Sequence, residues 1–207
     1  MKEIGRFHLL TDIHLQKRFS HPELARMAIS GGADCIQFRQ KSGSTRDMIQ
    51  EATGLKEICA ASGVSFIVND RVDVALASKA DGVHLGQSDF PVPLARKILG
   101  HGMIIGGSAN TLEEARQCFL EGADYVGFGP VFSTGSKDDT GPIRGTALLR
   151  QVVETVPLPI VAIGGIDARR IPDVMKTGAH GIAVISAVCC QVDPEMAAQS
   201  LNRALAF

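Results

Sequence analysis

No apolar run in this sequence is longer than about nine residues, far short of the ~20 that span a bilayer. The opening MKEIGRFHLLTDIH has neither the apolar core nor the cleavage site of a signal peptide. Nothing therefore points to a membrane, and a cytoplasmic location is expected. Neither sign of charge is in excess: Lys and Arg number 21, Asp and Glu 22, for a net charge of -1. No basic surface is left for nucleic acid or an anionic membrane. Cys35, Cys59, Cys118, Cys189 and Cys190 are odd in number, with no C-x-x-C and no His at zinc spacing. They read as reduced, mostly buried thiols. What remains is 207 residues at 45% hydrophobic content, enough for one sizeable core. Composition leaves both a monomer and a homo-oligomer open.

What is present is a repeat. GGADCIQFR begins at Gly31, KADGVHLGQ at Lys79, EGADYVGFGP at Glu121 and TGAHGIAVIS at Thr177. Each is a small-residue helix end, an Ala and usually an Asp, then an apolar run. The runs are Cys35 to Phe38, Gly82 to Leu85, Ala123 to Phe128 and Ile182 to Ile185. Between them lie Val64 to Val68, Met103 to Ile105 and Leu158 to Ile163, and Phe7 to Leu10 comes first. Helix-like segments separate them: His21-Pro22-Glu23 opens one, Thr45 to Ala61 and Val72 to Ala77 are others, and Thr111 to Glu114 is a capping box. Continuous rather than alternating apolar strands mean a parallel sheet covered by helices. Eight such units predict an α/β fold of the closed (β/α)8 TIM-barrel type. The length lies at the short end of that fold, typically ~200 to 250 residues, so residues 1–207 are expected to form one barrel domain.

In such a barrel chemistry gathers at the carboxyl ends of the strands. Gly129 to Lys137 leaves its strand as a small-polar loop in which Thr134, Gly135, Ser136 and Lys137 offer backbone N–H groups, hydroxyls and an ammonium. That set suits a phosphate, although a solvated turn has the same make-up. Gln37, Arg39 and Lys41 alternate onto one face, which at the rim faces the mouth. They read either as an anion site or as two cations snorkelling to water. Asn69 and Asp70 end the third strand and Asp89 follows the fourth. Neighbouring parallel strands lie ~4.8 Å apart, so both carboxylates can reach one Mg2+ whose shell water and phosphate complete. On position alone, the N-cap of the next helix is the simpler reading of Asp70. Asp12 reads as a turn or cap residue and His84 as a packed core histidine. Ser108 is free to donate to a ligand. Gly164-Gly165 and Ser186, after the seventh and eighth strands, occupy the usual barrel phosphate site. Asp138 to Arg144 is irregular and is a candidate lid.

Six ordered motifs at these positions resemble the thiamine phosphate synthase/TenI family across nearly the whole chain. They are Q-F-R-Q-K at Gln37 to Lys41, N-D-R at Asn69 to Arg71, H-L-G-Q-x-D at His84 to Asp89, G-x-x-F-x-T-x-S-K at Gly129 to Lys137, I-G-G-I at Ile163 to Ile166, and V-I-S at Val184 to Ser186. The resemblance implies that Gln37, Arg39, Lys41, Asn69, Ser108 and Lys137 hold an aminopyrimidine methyl diphosphate, with Phe38 and Gln40 inside the same first motif. It implies that Asp70 and Asp89 bind Mg2+, and that Thr134, Gly135, Ser136, Gly165, Ile185 and Ser186 hold a thiazole phosphate. The implied reaction forms a C–N bond with loss of pyrophosphate: the C–O bond breaks early, the pyrimidine stabilises the methylene cation and the thiazole nitrogen captures it. Arg39, Lys41, Lys137 and Mg2+ would neutralise the leaving group.

Two places depart from the family pattern. Ser108-Ala109-Asn110-Thr111 stands where many members have Ser-x-His-Thr, and Thr134-Gly135-Ser136-Lys137 where many have Thr-x-Thr-Lys. Ser for Thr keeps the hydroxyl, whereas Asn for His removes a titratable group. The family's other activity is thiazole tautomerisation by proton transfer. The founding tautomerase carries a His where Pro130 stands and lacks the Asp at position 70. Proline moves no proton and a tautomerase needs no diphosphate metal, so the synthase reading is favoured. A third reading is a non-catalytic barrel that binds thiamine precursors; the metal pair and the cations argue against it.

Overall fold

In a computed structural model that describes residues 3–136 and 141–206, eight strands close into a barrel in sequence order, each parallel to both neighbours. They are β1 (Phe7–Thr11), β2 (Cys35–Phe38), β3 (Ser65–Asn69), β4 (Gly82–Leu85), β5 (Ile104–Ala109), β6 (Tyr125–Phe128), β7 (Ile160–Ile163) and β8 (Gly181–Val184). The connecting helices are α1 (His21–Ser30), α2 (Thr45–Ala61), α3 (Val72–Ala77), α4 (Val92–Leu99), α5 (Leu112–Leu120), α6 (Gly145–Thr155) and α7 (Ile171–Met175). A short α8 (Ser186–Cys189) and α9 (Pro194–Leu205) follow β8. This is the expected TIM barrel. No described helix is long and apolar enough to cross a membrane.

The repeat has a physical basis at the amino-terminal rim. Its aspartates cap the neighbouring strand: Asp34 accepts from the backbone N–H of Phe7 (2.8 Å), Asp81 from Phe66 (2.9 Å) and Asp124 from Ile105 (2.7 Å). Each would otherwise leave a strand-end donor unpaired. Lys56 pairs with Asp81 and Arg96 with Asp124, both at 2.6 Å. In the fourth repeat a histidine takes this place, and His180 Nε2 lies 2.8 Å from the Ile4 carbonyl. Before each Ala the chain turns left-handed, at Gly32, Gly122 and Gly178, but at Lys79 a side chain occupies that conformation with φ of 54°. Left-handed backbone is the usual reason for glycine at a helix end.

Two local expectations are corrected. β5 extends through Gly106, Gly107 and Ser108, which the sequence places after the strand. These glycines make room rather than turns: a Cβ on Gly106 would meet the Tyr125 ring at 2.3 Å and His84 Nδ1 at 2.4 Å, and one on Gly107 would meet Cys118 Sγ at 2.6 Å. Asp70 is not an N-cap. Arg71 caps α3 without a side-chain hydrogen bond, and Asp70 itself sits at φ of 66°. Thr111 does cap α5, accepting from Glu114 N–H at 3.1 Å. Cys35, Cys59, Cys118 and Cys189 are buried and Cys190 is exposed.

The barrel interior is polar where aliphatic layers are usual. His84 Nδ1 lies 2.9 Å from the Tyr125 hydroxyl and Nε2 2.9 Å from Ser108 Oγ, so His84 is packed as expected and engages Ser108 as well. His8, Gln37, His84 and Tyr125 line a small internal cavity of about 30 Å³ beneath the mouth.

Candidate active site

The carboxyl rim encloses one larger cavity of about 320 Å³. The ends of β2, β3 and β4 form one side of it, with Arg39, Lys41, Asn69, Asp70 and Asp89. Strand β5 contributes Ser108; the loop after β6 contributes Thr134 and Ser136; and Gly165, Ile185 and Ser186 complete the other side. Residues up to 147 positions apart in sequence, Arg39 and Ser186, thus meet because eight parallel strands all end on one rim.

Arg39 is almost fully out of solvent, with a side-chain exposure of 10%, and its Nη1 forms an ion pair with the fully buried Asp12. Asp12 is also the turn residue that its position predicts, since Oδ1 accepts from His14 N–H (2.8 Å) and Leu15 N–H (3.1 Å). The only signal in the sequence was its place after β1. Lys41 is half exposed and pairs with Asp70. Burial raises the Asp70 pKa, but Lys41 and the adjoining Asp89 outweigh that and leave it below the usual carboxylate value. Burial and the Asp70 carboxylate push Asp89 the other way, upward, although its Oδ2 accepts from Gly86 N–H at 2.7 Å. Two carboxylates pressed together in this way are poised for a cation.

On the opposite side, Ser136 Oγ lies 2.9 Å from Ser186 Oγ, joining the β6 loop to the end of β8. Thr134 Oγ1 accepts from Ser136 N–H at 3.3 Å. Glycine is required at 164 and 165, whose φ values are 100° and 62°. A Cβ on Gly164 would meet Pro130 Cα at 2.6 Å, and one on Gly165 would meet the Ser133 carbonyl at 2.3 Å. The β6 and β7 loops can therefore pack backbone to backbone and leave their polar atoms to the cavity.

Not every expected residue reaches this cavity. Gln37 lines the smaller chamber below it. Phe38 is buried on the helix side of the sheet, its ring edge-on to His21 at 4.8 Å. Gln40 donates to the Ser42 carbonyl at 2.9 Å, and neither it nor Gly135 lines the cavity. Lys137 lies outside the described residues, as do 138–140 of the expected lid. The sequence assigned no role to Gln87, whose Nε2 donates to the Ser108 carbonyl at 2.6 Å, and set Asn110 apart only as a departure from the family pattern, whereas both line the cavity.

The chain is similar to known proteins over nearly its whole length. A family described as thiamine monophosphate synthase matches residues 7–188. The chain is 48% identical over 204 residues to a thiamine-phosphate synthase of Salinibacter ruber, covering 99% of this chain and 90% of that one. It is 53% identical over 195 residues to one of Methanocella arvoryzae, covering 94% and 92%. Among solved structures, a thiamine phosphate pyrophosphorylase from Pyrococcus furiosus superposes with a TM-score of 0.89 at 41% identity, covering 97% of this chain and 95% of that one. A 3-hexulose-6-phosphate synthase, at 19% identity and a TM-score of 0.71, shares the fold.

Proposed function

The chain belongs to the thiamine monophosphate synthase family, and on that premise we propose which of its residues carry out the transfer. Such an enzyme joins an aminopyrimidinylmethyl group, delivered as its diphosphate, to a thiazole phosphate, giving thiamine phosphate and pyrophosphate. The observation that carries the assignment is the division of one cavity into a cationic, carboxylate-bearing side and a hydroxyl- and glycine-lined side. Two phosphorylated substrates need two anion sites.

On the first side Arg39 and Lys41, with Lys137, take the diphosphate, while Asn69 and Ser108, with Gln37 beneath them in the smaller chamber, orient the pyrimidine end. The methylene C–O bond breaks and its electron pair leaves on the diphosphate. The thiazole nitrogen lone pair then forms the new C–N bond, so no side-chain nucleophile is required. The protein's part is charge neutralisation on the leaving oxygen by donors that are already in place. On the second side Thr134, Ser136, Ser186 and the backbone at Gly165 and Ile185 hold a phosphate that does not react.

Asp70 and Asp89 fit Mg2+. They adjoin, each perturbs the other, and among the described residues they belong to no cluster of three or more metal-ligating side chains. A cation that accepts two carboxylates and completes its shell with water and phosphate oxygens suits that set. When bound, Mg2+ supplies charge that offsets the diphosphate. Residues 1–207 act as one barrel domain, in the cytoplasm, and the oligomeric state follows from sizing the purified protein.

Incubating the protein with the pyrimidine diphosphate, the thiazole phosphate and Mg2+ tests the assignment, with thiamine phosphate as the expected product. Interconversion of thiazole carboxylate phosphate tautomers without thiamine phosphate would hand the site to the tautomerase chemistry instead.

A further inference from the structure

We propose that Asp12 is a positioning residue that fixes the Arg39 guanidinium for the diphosphate, an inference that rests on the synthase assignment. Asp12 is fully buried at the end of β1, and its two carboxylate oxygens do different things. Oδ1 is held by the His14 and Leu15 N–H groups, so the carboxylate is locked to the backbone of the β1–α1 turn. Oδ2 takes Arg39 Nη1. Arg39 lines the cavity, yet its Nε, out of solvent, has no hydrogen-bond partner among the described residues. A buried guanidinium N–H without an acceptor is unfavourable unless a ligand takes it, and an anion in the cavity is such an acceptor. Asp12 thereby immobilises one edge of the fork and leaves another donor for the leaving group. A cation held in place before the substrate arrives needs no reordering when charge develops.

A counter-ion that merely neutralised Arg39 would act in the opposite sense, because removing its charge would strengthen anion binding. Asp12→Asn separates the two. Asparagine keeps an oxygen for the His14 and Leu15 N–H groups and loses the charge on Oδ2. Positioning predicts that affinity for inorganic pyrophosphate with Mg2+, measured by calorimetry, falls about 10- to 100-fold. The Michaelis constant for the pyrimidine diphosphate should rise and kcat fall, with that for the thiazole phosphate unchanged. In an Arg39→Ala background the same substitution should have no further effect on pyrophosphate affinity, since the coupling runs through Arg39. If Asp12→Asn does not fold, Asp12→Glu is put through the same cycle, because one added methylene displaces the fork while keeping the charge. Unchanged or tighter pyrophosphate binding in the folded variant, or an equal loss with and without Arg39, overturns the proposal. A wild-type protein that forms no thiamine phosphate would instead refute the synthase assignment, which is a separate result.

Discussion

Acidification should destabilise this protein through two buried histidines, His8 and His21. Burial lowers the pKa of His8 from 6.5 to about 4, against the raising effect of its hydrogen bond to the Gly5 carbonyl. Burial also takes His21 from 6.5 to about 4, against the opposing pull of Asp12. In the unfolded chain both return to the ordinary value. The folded values are the lower ones, so as pH falls the unfolded chain binds the extra protons. Stability is complete above ~6.5 and is lost on the way down to about 4. Between pH 7 and pH 5 the linkage relation gives roughly 2 kcal/mol per histidine, or about 4 kcal/mol for the pair. For a chain of this size that is a fall of about 8 to 15 °C in melting temperature. Asp89, whose pKa is raised, acts in the opposite direction and is common to wild type and variant. Thermal unfolding of the wild type and of His8→Gln/His21→Gln, followed at both pH values, isolates the two imidazoles. The variant starts less stable because it loses packing, but it should show little of the slope. Equal falls in both proteins would refute the assignment of acid sensitivity to these residues.

Three further outcomes follow from named contacts. Lys79→Gly should raise stability by about 0.5 to 1 kcal/mol, read by denaturant unfolding, because Lys79 alone among the repeat's helix ends places a side chain in left-handed backbone. Asp70→Asn and Asp89→Asn should each raise the Mg2+ concentration for half-maximal activity about tenfold or more while leaving the melting temperature within a few degrees; loss of fold with normal activity per folded molecule would restore the capping role for Asp70. Lys137→Ala should lower kcat more than it raises the Michaelis constant for the thiazole phosphate, and Ser186→Ala, which loses the contact to Ser136, should do the reverse at about 1 to 3 kcal/mol of ground-state binding.

The strands and their order were legible because each repeat ends a helix in small residues and then runs apolar. In β2 and β4 the expected and observed bounds coincide. β5 was not legible to its end. Gly106-Gly107 has the look of a turn, and only the Tyr125, His84 and Cys118 side chains packed against it explain why the strand continues. Those neighbours are 11 to 22 residues away, beyond the reach of local pattern. The polar interior was hidden for a related reason. His8 and Tyr125 sit inside otherwise apolar runs, so that an imidazole and a phenol pass for core, and the His84–Tyr125 hydrogen bond spans 41 residues.

The electrostatics of the mouth were misjudged in the same way. Read along the chain, Gln37 to Lys41 presents two free cations. In the fold Arg39 is neutralised by Asp12, 27 residues earlier, and Lys41 by Asp70, 29 residues later. The mouth is built from ion pairs rather than bare charge, and the two pairs differ in burial. The Arg39 side chain is 10% exposed and its partner 0%, whereas Lys41 is 50% exposed and its partner 20%. Water screens the second pair far more than the first. An anion entering the cavity therefore meets a buried guanidinium and a half-exposed ammonium. Their unequal roles cannot be read from two residues that stand two positions apart in the sequence.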